Sequence, residues 1–394
     1  MQEKDRAKLI PDYDANGLER QGVIFGLGGF CRAHLCWLMH QLASAGDTAC
    51  GVTAVAMVPQ DLPVLRGMQQ QRGCYTHVRR ATDSGVEGNA VGTINETLFA
   101  LDQADVVAAR VADPATKFLA TVITEGAYAV NFAGGSAAAK SLSSGEPRLS
   151  SWYGLLIDCL YARFKAGVEP CAVIPMDNVP DNGAVIANAI QRSAELRYGG
   201  DADFSAWLET VPTPATMVDR ITPAMKAYAT PPHALVTDVR ETFNIEDFVP
   251  VQCERTLYWV IQDLPGPHGE LLKRVKSAVE GQAEVHVMVV PDVKPYEQAK
   301  AGLLNGQHVP LGLCGSLLLA SPQVSEAMAV PELRGFMEKY QAEVEPSLAT
   351  EPPEFVDFVK ECGACFDPAF CPLLNGALCT PVVLVPGSQV LHAL

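Results

Sequence analysis

Basic residues are scarce in this chain. Only 29 Lys and Arg stand against 45 Asp and Glu, a formal net charge of −16. Phosphate-backbone binding needs clustered Lys and Arg, so this balance excludes nucleic acid as an expected partner. Charged residues of both signs reach only 19% while hydrophobic residues make 48%, which excludes general disorder and fits a compact fold. Long apolar runs are missing too. None reaches the ~18 residues that a membrane-spanning helix requires. The first twenty residues, Met1 to Arg20, are too polar for the apolar core of a secretory signal. The twelve cysteines lack the spacing of a small disulfide scaffold, so reduced thiols and a cytoplasmic location are expected. No internal repeat is present.

With 394 residues the chain is long enough for two domains and a large core. Short apolar runs alternate with helical spacing along its first two-thirds. Gly22–Gly26, Gly51–Ala56, Phe118–Ile123 and Cys171–Pro175 read as buried strands, with helices expected over 32–45 and 152–165. That alternation predicts a Rossmann-type, doubly wound α/β sheet with helices on both faces. Val285–Val290 reads as a late strand. Beyond Pro291 the pattern turns helical, with helices expected over 295–320, 323–329 and 331–342. The expected division is a dinucleotide-binding domain over 1–292 and a helical C-terminal domain over 293–394.

Two stretches carry chemistry. Gly26-Leu27-Gly28-Gly29-Phe30 follows the first strand and opens the first helix. Gly26 permits a tight turn, Gly28 lets the backbone approach a pyrophosphate, and the helix N-terminus offers N–H groups to that anion. The third glycine of the generic fingerprint is Cys31 here, and an ordinary strand–turn–helix connection would look the same. After the next strand, Met57-Val58-Pro59-Gln60 stands where a ribose-binding acid is expected, with Asp61 close behind, so NAD and NADP both stay open. The second stretch runs from Lys300 to His308. It sets an amine, the Asn305 amide and an imidazole within an apolar segment, where burying such groups unpaired is costly. On an ideal α-helix residues 300, 305 and 308 fall within about 140° of one another, so one broad face presents all three. Gly306 and Pro310 predict a bend or interruption there. Together the two stretches point to hydride transfer with an amine base.

Seven collinear segments then resemble the mannitol dehydrogenase family, the long-chain polyol dehydrogenases and hexuronate reductases. They are Gly26–His34, Gly73–Thr76, Thr124–Tyr128, Asp177–Gly183, Thr216–Pro223, Trp259–Asp263, and Pro295–Glu297 leading into Lys300–His308. The resemblance runs from about residue 22 to about 347. It implies NAD as cofactor, with NADP not excluded, and interconversion of a polyol and a ketose, mannitol and fructose being the first expectation. It also implies Lys300 as acid/base, since burial tunes a lysine toward that work. Asn178 and Asn305 match amide donors to the reacting oxygen, His308 a substrate-orienting histidine, and Glu125 an acid connecting the lysine to solvent. Gly26, Gly28, Gly29, Phe30, Arg32 and Asp219 fall to the cofactor side, and His34 near them. Without the resemblance Asn178 reads as a turn residue, Arg32 and His34 as a surface helix turn, and Asp219–Arg220 as a structural ion pair.

Metal-dependent alcohol oxidation is the rival chemistry. Zinc needs three Cys, His, Asp or Glu ligands, and no such spacing lies near the glycine turn or Asn178. Cys362-Gly-Ala-Cys365, followed by Cys371 and Cys379, lacks a second paired half, so free cysteines are expected. Past Pro346 the resemblance fades. The helical domain is shorter than the family's, an expected Arg-Phe-Asn segment is missing, and Gln262 replaces an acid. Hexuronate reduction, or a truncated homologue that binds dinucleotide without turnover, therefore remain as alternative readings. A small-molecule substrate, no membrane partner and a monomer or weak oligomer are expected.

Overall fold

The computed structural model describes residues 9–80, 86–123, 125–128, 130–133, 136–144, 152–223, 225, 233–318, 324–348, 355 and 358–360. They fall into two compact units: Met1–Arg79 with Glu87–Pro291, and Arg80–Val86 with Asp292–Leu394.

The first unit is built on parallel strands. In chain order the strands are β1 (Arg20–Phe25), β2 (Gly51–Ala56), β3 (Tyr75–Arg80), β4 (Val86–Val91), β5 (Ile94–Phe99) and β6 (Phe118–Thr121). There follow β7 (Ala172–Pro175), β8 (Thr216–Asp219), β9 (Val251–Glu254), β10 (Leu257–Gln262) and β11 (Val285–Val290). The main sheet has the order β5-β2-β1-β6-β7, and every pair in it is parallel. Alternate residues of β1 serve opposite faces. Val23 and Phe25 join a core with the helices Ala104–Ala112, Trp152–Lys165 and Asn182–Tyr198, while Ile24 joins the core that includes Trp37 and Leu38. Burial on both faces is why these strands read as unbroken apolar runs. The fold is Rossmann-type, as the alternation predicted.

Three features depart from the sequence reading. The helix expected over 32–45 is two helices, α1 (Gly29–Ala33) and α2 (Leu35–Ser44), broken at His34 with φ −108° and ψ −85°. The late strand β11 does not extend the main sheet. It pairs in parallel with β10, which pairs antiparallel with β8, making a separate three-stranded sheet. A third sheet, β4-β3-β9, was not foreseen at all, because its strands are short and carry Arg, His, Glu and Gln among their apolar residues.

In the second unit the helix expected over 295–320 is three segments. An α-helix spans Lys294–Ala299, a π-helical turn spans Lys300–Asn305, and a further α-helix spans Gly306–Leu318 with Pro310 inside it. Helices at Val324–Met328 and Pro331–Val344 follow. Cys362, Cys365, Cys371 and Cys379 lie outside the described residues. No helix among the described residues is long and apolar enough to cross a membrane.

Candidate active site

In a sheet of order β5-β2-β1-β6-β7 the strand order reverses between β1 and β6, and ligands of open α/β sheets gather in the crevice at such a point. The glycine turn lies there. Gly26 has φ +125°, and a Cβ on it would come within 2.0 Å of the Val122 carbonyl oxygen just beyond β6. Only glycine fits a positive φ against so close a backbone. Gly28 is exposed and caps α1, and a Cβ there would meet nothing within 4 Å. That clear space over a helix start is what a pyrophosphate requires. At Gly29 a Cβ would sit 3.2 Å from Thr222 Cγ2, so the segment after Asp219 runs alongside the turn. Phe30 is half-buried and stacks on His34 with ring centroids 4.9 Å apart.

Arg32 and His34 turn inward. Arg32 is 2% exposed, and its Nη1 donates to the Val249 carbonyl while its guanidinium lies over the Tyr75 ring at 5.4 Å. The Tyr75 hydroxyl in turn donates to the Arg32 carbonyl at 2.6 Å. Burial pulls the Arg32 pKa below its ordinary value. His34 is fully buried, with Nε2 3.0 Å from the Tyr258 carbonyl. Neither side chain lies on a surface helix turn. Tertiary hydrogen bonds to distant carbonyls, invisible in a local pattern, draw both into the core.

Asp219 ends β8, opposite Tyr258 of β10. Its neighbour Arg220 is buried over the Trp37 ring at 4.8 Å and donates to the carbonyls of Ala33 (2.7 Å) and Glu254 (3.0 and 3.1 Å). Those bonds tie β8 to the end of α1.

Asn178 is exposed in the turn after β7, and Glu125 opens a four-residue helix, Glu125–Tyr128, after β6. The segment Asp177–Gly183 shows why its residue types recur together. Asn182 is buried and pairs with the Thr216 backbone, accepting from its N–H at 2.9 Å and donating to its carbonyl at 2.9 Å. Asn182 also donates to the Asp177 carbonyl at 3.1 Å. A Cβ at Gly183 would lie 2.6 Å from the Thr213 carbonyl oxygen. Asp177 is buried, and its Oδ2 accepts from the Tyr128 hydroxyl at 2.7 Å and from the Ile123 N–H at 3.2 Å. Asp177, Asn182 and Gly183 hold the turn, and Asn178 stands at one of its exposed positions. Sequence reasoning passed over Asp177 and Tyr128; the signal was an acid placed directly after an apolar strand.

Lys300, Asn305 and His308 share the second unit. Lys300 is 4% exposed and opens the π turn that Asn305 closes. In an α-helix these two would stand about 140° apart. In a π turn the hydrogen bonds run from i to i+5, so residue 305 stacks over residue 300 as i+4 does in an α-helix. His308, three residues on, shares the face of Asn305. Its Nδ1 lies 2.8 Å from the Leu304 carbonyl. A carbonyl only accepts, so Nδ1 carries the proton in that bond. The turn is shaped by Gly306, where a Cβ would meet the Ala301 carbonyl at 2.8 Å and the Tyr340 hydroxyl at 2.4 Å. The Tyr340 hydroxyl donates to the Gly302 carbonyl at 3.0 Å. Among the described residues no three His, Cys, Asp or Glu side chains gather as a metal ion would require.

Comparison with known proteins bears on this site. The family model of the mannitol dehydrogenase Rossmann domain matches residues 21–272. Mannitol 2-dehydrogenases of Aspergillus oryzae and Emericella nidulans are each 31% identical to the chain, over 88% of it and 68% of their own length. Mannitol 2-dehydrogenase of Pseudomonas fluorescens, solved in ternary complex with NAD and D-mannitol, superposes with TM-score 0.74 and 26% identity. That match covers 91% of this chain and 72% of the other. A D-sorbitol dehydrogenase in substrate-free form gives TM-score 0.74 and 26% identity, over 90% and 71% of the two chains.

Proposed function

The chain belongs to the mannitol dehydrogenase family, and on that premise we propose that it interconverts a secondary alcohol of a polyol and the ketone of a ketose with NAD(P), mannitol and fructose first. The observation that carries this reading is the buried Lys300 on a π turn that stacks Asn305 above it. The fit to a dinucleotide rests on the open space over Gly28 and on Gly26 at the switch point.

Residues 1–292 hold the cofactor in this reading, with Gly26, Gly28, Gly29 and Phe30 around the phosphates and Asp219 beside them. The inward-facing Arg32 supports the turn from beneath through Val249 rather than contacting phosphate. Residues 293–394 bring the substrate groups. Bound NAD(P) supplies the hydride acceptor or donor. Lys300 removes the hydroxyl proton during oxidation and returns one to the developing alkoxide during reduction. Asn178 and Asn305 donate amide N–H groups to that oxygen, stabilising its charge without adding a cation that would disturb the lysine. His308, with Nδ1 committed to Leu304, offers Nε2 to a substrate hydroxyl. Glu125 relays the proton toward solvent.

A coupled NADH and NADPH absorbance screen over polyols, ketoses and keto-acids tests this assignment. Turnover of a polyol–ketose pair is the expected result. Turnover of fructuronate or tagaturonate alone would assign the hexuronate reaction instead. Dinucleotide binding without turnover of any substrate would leave a binding module.

A further inference from the structure

Between the two loops assigned to proton relay and oxyanion donation lies a carboxylate to which the mechanism above gives no office. Asp177 is 8% exposed, and both of its described side-chain bonds reach into the loop after β6, to the Tyr128 hydroxyl and the Ile123 N–H. Tyr128 also lies 3.0 Å from Thr121 Oγ1 at the end of β6. Burial first, and then the nearby Asp177 charge, hold the Tyr128 phenol well above its ordinary pKa, so it stays a hydrogen-bond donor across the working range. On its main chain Asp177 is fixed as well. Its carbonyl accepts from Asn182 Nδ2 at 3.1 Å and from the Val179 N–H at 2.9 Å, on the far side of Asn178. Asn178 therefore hangs between two anchored residues, and one anchor is tied to the helix that Glu125 opens.

We propose that Asp177 is a positioning residue: through Tyr128 and the Ile123 N–H it locks the Glu125 loop and the Asn178 turn into one body that sets the aim of Asn178. The proposal rests on the oxyanion role assigned to Asn178, and it depends on the place of an acceptor atom rather than on a charge. Two hydrogen bonds converge on the one buried Oδ2 and fix its place, and misplacing a donor by even 1 Å is costly to the reaction.

The test uses the full chain with D-mannitol, its C2-deuterated form and NAD, alongside hydrogen–deuterium exchange. Asp177→Ala is expected to lower kcat by about 10- to 100-fold while NAD affinity is kept. The deuterium isotope effect on kcat rises as hydride transfer becomes limiting. Peptides covering 119–130 and 176–184 exchange faster together. Asp177→Asn, which keeps an acceptor in place without charge, recovers most of the rate. Tyr128→Phe removes one hydroxyl and gives a smaller loss in the same direction, carrying the test should Asp177→Ala fail to fold. The Asp177→Ala, Tyr128→Phe pair is no slower than Asp177→Ala alone, since both break one link. Full kcat in Asp177→Ala and Tyr128→Phe, Asn no better than Ala, additive losses, or independent exchange of the two peptides would overturn the proposal. A wild-type chain inactive on mannitol would sink the proposed substrate, while the exchange of the two peptides still decides the lock.

Discussion

At the scale of single residues the proposed chemistry rests on few side chains. Replacing Lys300 by Ala should cost about 10²–10⁴ in kcat, the usual worth of a positioned acid/base. Dinucleotide affinity, read by NADH fluorescence titration, should stay at the wild-type value, because Lys300 is not among the cofactor groups. A Lys300→Ala variant with full turnover would end the amine-base mechanism. Asn305→Ala removes one amide donor and should lower kcat by about 10²–10³ with a smaller change in KM. Lysine and asparagine at these positions were legible as candidates, since polar groups in an apolar segment need a reason. The inward turn of Arg32 was not legible. Its acceptor, the Val249 carbonyl, lies 217 positions along the chain, and backbone carbonyls carry no sequence signature.

At the scale of elements the π turn does what an ideal helix over 295–320 would not. It stacks Asn305 on Lys300, and Gly306 makes room for it. Gly306→Ala pushes a methyl against the Ala301 carbonyl and the Tyr340 hydroxyl, so both kcat and the melting temperature should fall. Adding Tyr340→Phe removes only the second clash, and a partial recovery is expected, measured by steady-state kinetics and calorimetry on the three variants. The glycine turn gives the parallel case. Gly26→Ala must hold an alanine at φ +125° against the Val122 carbonyl. About 1–3 kcal/mol of stability should be lost to backbone strain alone, with weakened dinucleotide binding, read from urea unfolding and fluorescence titration. Glycine and proline near residue 306 announced an irregularity in the sequence. Its kind shows only in the structure, where the Tyr340 hydroxyl of a later helix donates to the Gly302 carbonyl within the turn.

For the whole molecule, buried histidines couple stability to pH. Burial pushes His40 down to about 4 from 6.5 and holds His77 well below its ordinary value. Both are neutral when folded and take up protons when unfolded. Their contribution is therefore complete above pH 6.5 and is lost as pH falls toward 4. His40 alone should withdraw about 3 kcal/mol over that window. Urea unfolding at stepped pH should show this slope, and His40→Gln should flatten it; an unchanged slope would refute the linkage. At this scale the alternation of strands and helices was readable, because strands buried on both faces are apolar throughout and helices are periodic. The β4-β3-β9 sheet was hidden. Its strands mix polar with apolar residues, as Tyr75–Arg80 does with its Thr, His and Arg, and match no simple pattern.

The sequence by itself determined the Rossmann-type class, the place of the glycine turn and the kinds of chemical group available. These follow from local spacing, glycine geometry and collinear motifs. Only the tertiary structure decided that 300–305 is a π turn, that Arg32 faces inward, and that Asp177 binds the loop after β6 to the turn bearing Asn178. Each of those depends on hydrogen bonds or close contacts between segments far apart in the chain, and such pairings are settled by packing rather than by any local run of residues.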